Sequence, residues 1–316
     1  MRATTLPILA LPLLLTYCGS KGDLIIGELA PVIVGGASVI PSAGGSVATT
    51  GGSPTESGGS ATDSGAGGNA AGQAGADGAT SGTPCTAGEE PPVDSLIHRY
   101  SFDGTGTTVA DSVGVADGSL VGGAMLDGSG VLTLPGEHDG QPDQYLNLPN
   151  GLVSSHSGVT IVAWTTWAGG AGYQRVFDFG MSDLGERQGN TGKSYIAVMP
   201  STGFANGTGL GAEVAAPGFA TLGLGSAEDM LNRPAQVAFA VQSGVSLELF
   251  LDGKSLIQSP TPVQLTDIKD VNDFVGESQW SKDHAYHGTY DELRIYGAAL
   301  NACQLRTLFD RGPDAP

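Results

Sequence analysis

The chain has 316 residues, with 32 Asp and Glu against 13 Lys and Arg, a formal net charge of −19. After Glu90 the balance is 25 acidic to 11 basic residues, a net −14. That argues against nucleic-acid partners, whose phosphates need Lys and Arg, and against adhesion to anionic membrane surfaces. Solubility accounts for the acidity, and attraction of calcium is the sharper reading.

At the amino terminus, Arg2 precedes an apolar stretch from Leu6 to Tyr17. About 12 apolar residues are too few for a membrane span, which needs about 20, and fit a secretory signal. The stretch ends at Leu15-Thr16-Tyr17-Cys18, followed by Gly19-Ser20. This resembles a bacterial lipoprotein signal, with Tyr17 standing where a small residue is usual. The resemblance implies a signal peptide over 1–18 and lipidation at Cys18. The expected location is the bacterial cell envelope, lipid-anchored at the outer membrane, or the secreted fraction. Contact with membrane is expected only through the lipid.

Leu24–Ile40 is apolar but is interrupted by Glu28, Pro31 and paired glycines, so it is not read as a second span. From Gly35 to Pro84 there are 15 Gly in 50 positions, with no aromatic residue and no Lys or Arg. Such a segment cannot bury enough apolar surface to offset its chain entropy. Residues 19–90 are therefore expected to be a disordered Gly/Ser/Ala-rich linker, the Gly-rich stretch spanning roughly 35–42 Å end to end.

From Leu96 onward, short runs of β-formers alternate with Gly, Asp and Asn. The predicted strands are Leu96–Phe102, Gly118–Val121, Val131–Leu134, Tyr145–Leu148, Val159–Trp167, Gln174–Met181, Lys193–Met199 and Gly209–Val214. Ala235–Gln242, Ser246–Leu251 and Lys254–Gln258 follow, the last two joined by Asp252-Gly253, a strong hairpin signal. Val271–Tyr296 adds a strand, a polar loop and a second strand. One helix is expected at Leu300–Phe309, started by Asn301 or Gly297 and stopped by Gly312-Pro313. Many short strands and one terminal helix leave barrel and sandwich open.

Four pieces in order carry a resemblance. They are His98-Arg99-Tyr100-Ser101-Phe102-Asp103-Gly104 with Val109-Ala110-Asp111-Ser112-Val113-Gly114, then Val162-Ala163-Trp164, then Leu249–Lys254 (LFLDGK), then Val271–Tyr296 (VNDFVGESQWSKDHAYHGTYDELRIY). Together they resemble the bacterial laminin-G-like domains of the concanavalin A-like lectin/glucanase superfamily. The resemblance implies an all-β, two-sheet antiparallel jelly-roll sandwich over 91–312, a short C-terminal helix and a tail over 313–316. First and last strands pair in such folds.

Related domains often hold one calcium beside carboxylates matching Asp103, Asp111 and Asp291. Those three are the candidate metal ligands, and the alternative is that Asp103 and Asp111 cap turns while Asp291 pairs with Arg294. In a jelly roll the chain ends lie close together. Of the three cysteines, Cys85 and Cys303 remain if Cys18 carries lipid, and a Cys85–Cys303 bridge would clamp the domain. Two free thiols are the alternative.

Carbohydrate sites use exposed aromatic faces with amides and carboxylates. Trp280 and Gln279 in one loop and Tyr173 in another are the candidate ligand contacts, with Trp280 as a cover for the core edge the competing reading. The superfamily's retaining glucanases carry Glu-x-Asp-x-Glu on a strand, and no such triplet occurs here. Catalytic residues are therefore not expected. The expected function is a non-catalytic binding module for glycan or glycoprotein, with calcium as the candidate assisting ion. A structural or protein-interaction domain docking another envelope protein is the alternative. A diverged glycoside hydrolase is the third.

Overall fold

A computed structural model describes residues 88–136, 143–202 and 209–315. The signal segment, Cys18, Cys85 and nearly all of the linker lie outside the described residues.

Among the described residues, seventeen strands and one α-helix follow in chain order. They are β1 (Leu96–Tyr100), β2 (Thr105–Gly106), β3 (Thr108–Val109), β4 (Gly118–Val121), β5 (Leu126–Asp127), β6 (Leu132–Pro135), β7 (Tyr145–Leu148), β8 (Gly158–Trp167) and β9 (Phe177–Ser182). Then come β10 (Gly192–Met199), β11 (Gly211–Ala215), β12 (Leu222–Gly225), β13 (Pro234–Gln242), β14 (Ser246–Leu251), β15 (Lys254–Pro260), β16 (Asn272–Val275), β17 (His287–Tyr296) and helix α1 (Ala302–Arg311). One sheet has the order β1-β17-β8-β13-β14-β15, with β6 also paired to β17. The other runs β12-β11-β10-β9-β16-β7-β4-β3, and β2 and β5 form a separate ribbon. The ladders are antiparallel, consistent with the expected jelly-roll sandwich.

The period of two along each strand explains the layering. Ile161, Ala163, Val237, Phe239, Leu249, Leu293 and Ile295 of the first sheet share one buried core with Leu146, Leu148, Phe177, Phe179, Ile196 and Val198 of the second. The alternate residues Val162, Trp164, Ala238, Phe250 and Tyr296 face the other way and are covered by Leu300, Leu305 and Leu308. Trp164 and Trp167 thus point to opposite sides, as their spacing requires. Trp167 is the one in the inter-sheet core, and Trp164 lies under α1 with the Arg294 guanidinium 5.0 Å from its ring centre.

Local chemistry sets the turns. Asp252 (φ 52°) and Gly253 (φ 69°) both adopt positive φ, the geometry of a two-residue hairpin that matches strand twist. Asp252 tolerates it because its carboxylate accepts from the Gln236 backbone N–H at 3.0 Å and Arg233 at 2.7 Å. Helix α1 is capped by Asn301, whose side chain accepts from the N–H groups of Cys303 and Gln304, and it ends at Gly312 (φ 82°).

The earliest and latest strands pair, with Arg99 opposite Arg294 and Tyr100 opposite Leu293. The boundaries drawn from composition shift at both ends. Glu89 and Glu90, assigned to the linker, bond to Asn301, the cap of α1, and to Arg311 in its last turn. In the C-terminal tail, the carbonyls of Pro313 and Ala315 accept from Arg294. Composition could not reveal this, because the partners lie more than 200 residues away for Glu89 and Glu90.

Candidate functional site

The outer face of the second sheet carries the polar chemistry. Register places Asn147, Phe274, Asp178, Ala197 and Glu213 side by side across β7, β16, β9, β10 and β11. Two loops fold onto this face, residues 183–191 and 276–286. They are zipped together by Gly189 N–H to Gln279 O at 3.0 Å and Ser281 N–H to Gly189 O at 2.8 Å.

Beneath the second loop lies a buried ionic cluster. Arg175, 2% exposed, reaches Asp178 at 3.2 Å and Asp283 at 2.9 Å. Burial pushes Asp178 up to about 6 against the pull of Arg175. Burial also raises Glu213, opposed by Arg175 and by a bond with Tyr195. Trp280 closes the cluster, its ring 5.4 Å from the Arg175 guanidinium and edge-on to Tyr195 at 4.9 Å.

Beside this cluster is an open cleft of about 480 Å³. Tyr145, Asn147, Asn272 and Phe274 form its floor from β7 and β16, and Glu186, Arg187, Gln188 and Ser281 form its walls. Tyr145 is half-buried and meets Phe274 edge to face at 5.2 Å. Gln188 is held by its Nε2, which donates to Ser278 O at 3.0 Å. Asn272 Nδ2 donates to the carbonyls of Gly185 and Arg187, fixing the loop that makes the wall. The half-buried Tyr145 ring beside the Asn147 and Gln188 amides and the exposed Arg187 suits apolar sugar faces and their hydroxyls.

The residues singled out from sequence distribute differently. Gln279 is wholly buried: its Nε2 donates to Asp178 O and Asn272 O, and its Oε1 accepts from Asn272 Nδ2. Its amide is consumed by the fold and is not a ligand contact. Trp280 is partly buried against Arg175 and Tyr195 and does not line the cleft. Tyr173 is 40% exposed at φ 64°, in a different loop from the cleft walls. His284 and His287 border a separate hollow of about 310 Å³ with Gln174.

The three proposed metal carboxylates do not gather. Asp111 spends both oxygens on protein donors: Oδ1 accepts from the N–H groups of Arg99, Val113 and Gly114, and Oδ2 from Ala116 and His98. Asp103 is exposed. Asp291 is the extra residue where β17 bulges against β8, and burial and Asp314 raise its pKa. Its alternative pairing is also corrected, since Arg294 bonds Glu292 at 2.5 Å. Among the described residues, no three His, Cys, Asp or Glu side chains are placed to hold a metal ion. These donors do not fit a calcium site built on Asp103, Asp111 and Asp291.

Sequence reasoning missed Tyr145, Phe274, Asn147 and Gln188. Alternation was the available signal: Leu146 and Leu148 point into the core, so Tyr145 and Asn147 point out.

Comparison with known proteins agrees with this architecture. The laminin-G-like model of the concanavalin A-like lectin/glucanases superfamily matches residues 139–306. Among curated proteins, none matches the sequence. Domain 4 of AbnA, a GH43 extracellular arabinanase from Geobacillus stearothermophilus solved with arabinotriose, is similar at 19% identity and TM-score 0.50, over 67% of this chain and 96% of that one. The binding domain of botulinum neurotoxin DC, solved with rat synaptotagmin II, is similar at 12% identity and TM-score 0.52, over 69% of this chain and 51% of that one. A botulinum neurotoxin type C structure, described as depending on two ganglioside molecules for cell entry, is similar at 14% identity and TM-score 0.51, over 69% and 51%. The chain spans about half the length of these toxin chains. With its own strand order and the family match agreeing, the chain belongs to the concanavalin A-like lectin/glucanase superfamily.

Proposed function

We propose that this chain is a non-catalytic binding module of the bacterial cell envelope or secreted fraction, recognising glycan or glycoprotein. The observation that carries the reading is the cleft on the outer face of the second sheet. It sets a half-buried Tyr145, backed by buried Phe274, beside Asn147, Gln188 and Arg187. The arabinotriose of the similar arabinanase domain and the gangliosides of the similar neurotoxin support this ligand class.

Hydrolysis of a glycosidic bond needs two carboxyl groups flanking it. Among the described residues, Glu186 is the acidic side chain lining the cleft.

The location reading rests on Cys18 and on where the chain enters the domain. Glu89 and Glu90 dock on α1, which covers the outer face of the first sheet, opposite the cleft. A tether through lipidated Cys18 raises the local concentration of the module at the cell surface. The proposed Cys85–Cys303 bridge fits the same geometry. Cys85 precedes Glu89 by four residues, and Glu89 bonds Asn301, two residues from Cys303.

A glycan array probed with the full secreted chain, with and without chelator, tests the reading. Binding to one glycan class, unaffected by chelation, is the expected result. Silence on every glycan, with capture of an envelope protein in a pull-down, would transfer the case to the protein-docking alternative. Release of reducing ends from a polysaccharide would overturn the non-catalytic assignment.

A further inference from the structure

The cleft wall is fastened to the buried ionic cluster through one carboxylate oxygen. Gln188, a wall residue, donates from Nε2 to Ser278 O at 3.0 Å. Ser278 is wholly buried. Its Oγ donates to Asp283 Oδ2 at 2.8 Å and accepts the Trp280 N–H at 3.1 Å. The same Asp283 Oδ2 accepts from Arg175 Nη2 at 2.9 Å, and Arg175 Nε reaches Asp178 Oδ2 on β9 at 3.2 Å. An unbroken path therefore runs from the sheet through Arg175, Asp283 and Ser278 to Gln188.

The local chain explains the fold-back. The Asp283 N–H donates to Trp280 O at 3.1 Å, closing a turn that brings its carboxylate back onto Ser278. Ser281, another wall residue, sits inside that turn and donates its N–H to Gly189 O at 2.8 Å. Asp283 does not line the cleft, yet it ties together the turn that supports two wall residues. A glutamine side chain left free must be ordered when a ligand arrives, and that entropy is subtracted from affinity. A site whose groups are locked beforehand by supporting hydrogen bonds avoids the loss.

We propose that Asp283 is the positioning residue of the cleft. Its Oδ2, braced by Arg175, holds Ser278 and through Ser278 fixes Gln188 where it meets a sugar hydroxyl. The ligand class rests on the glycan reading above, and the position of Gln188 does not. Both bonds use one oxygen, so a neutral amide that keeps an oxygen there preserves the path.

The test uses the full chain, with Asp283→Ala, Asp283→Asn, Ser278→Ala and the Asp283→Ala/Ser278→Ala double variant. The Asp283 side chain is 25% exposed, so its replacement leaves the core closed. NMR of the unliganded protein follows the side-chain amide of Gln188. That of Gln242, which donates to Ser157 O at 2.8 Å from the other sheet, serves as control. Asp283→Ala should shift Gln188 and leave Gln242 in place, and Asp283→Asn should restore Gln188. Arabinotriose affinity by calorimetry should fall about tenfold in Asp283→Ala and in Ser278→Ala, and stay within about twofold of wild type in Asp283→Asn. The double variant should lose no more than either single one, as for two residues acting in series. An unmoved Gln188 in Asp283→Ala, Gln242 moving with it, or an Asp283→Asn as weak as Asp283→Ala overturns the proposal. If wild type binds no arabinotriose while Gln188 shifts in Asp283→Ala and returns in Asp283→Asn, the positioning path is upheld and that sugar is removed as ligand.

Discussion

His98 Nδ1 and the Asp111 carboxylate meet at 2.7 Å along the outer edge of β1, where Asp111 also accepts four backbone N–H groups. This one side chain fastens the 111–116 loop to an edge strand. Burial opposes its ionisation, but the His98 bond and the N–H groups of Arg99, Gly114 and Ala116 outweigh it and hold the pKa at about 2. Asp111→Asn keeps one acceptor oxygen and leaves N–H groups unmatched. Stability should fall by about 2–4 kcal/mol, the cost of unsatisfied buried groups near a lost charge. Urea midpoints measured in chelator and in calcium should show the same loss. A loss seen only in calcium would return Asp111 to a metal role.

Tyr145 and Tyr173 separate the cleft from the neighbouring loops. Tyr145 lies in the cleft against Phe274, whereas Tyr173 lies outside it. Tyr145→Ala removes the aromatic surface and should weaken glycan binding about tenfold, equal to about 1.4 kcal/mol. Tyr173→Ala should leave affinity unchanged. Titration calorimetry on both variants checks the pair, and equal losses would place the ligand elsewhere.

Much of the fold was readable because it is locally encoded. The runs in β7, β8, β10, β13 and β14 alternate or are evenly apolar, Asp252-Gly253 dictates a turn, and Asn301 and Gly312 bracket α1. The two-residue strands β2, β3 and β5 carry too little pattern to be seen, and β12 is half glycine. The site was less legible for a different reason. Phe274 and Asn147 become neighbours only through β16–β7 pairing, across more than 120 residues. Trp280 and Gln279 looked like ligand contacts because a polar loop reads as exposed, yet the loop folds down onto Asp178 and Arg175.

Gln279 turns that misreading into a measurement. Its amide makes three hydrogen bonds within a wholly buried site, and Gln279→Ala removes all three, leaving Asn272 Nδ2 only the Gly185 and Arg187 carbonyls. The expected destabilisation is about 3 kcal/mol, with little change in affinity for any glycan among molecules that remain folded. Denaturant midpoints together with calorimetry check it. A variant of normal stability that no longer binds would reinstate Gln279 as a ligand contact.

Buried acids make an unusual stability profile the strongest global prediction. Burial raises Asp178 to about 6 and Glu277 to about 8, and raises Asp273 well above its ordinary value, with Asp270 nearby adding to the effect. A carboxyl whose pKa is higher in the folded state binds its proton more tightly there. Its contribution is complete below the unfolded value, near 4, and is lost as pH rises through the folded value. Asp111 acts oppositely: its contribution is complete above about 4 and is lost as pH falls towards about 2. The two trends meet near pH 4–5, so the thermal midpoint should peak there and decline by several degrees towards about pH 9. Glu277→Gln removes one proton-binding site from the folded state, so the decline above about pH 6 should be shallower in that variant. Differential scanning calorimetry of the full chain across this range decides it. A midpoint that climbs steadily from acid to neutral pH would mean that these carboxyls are ionised and solvated in the folded protein.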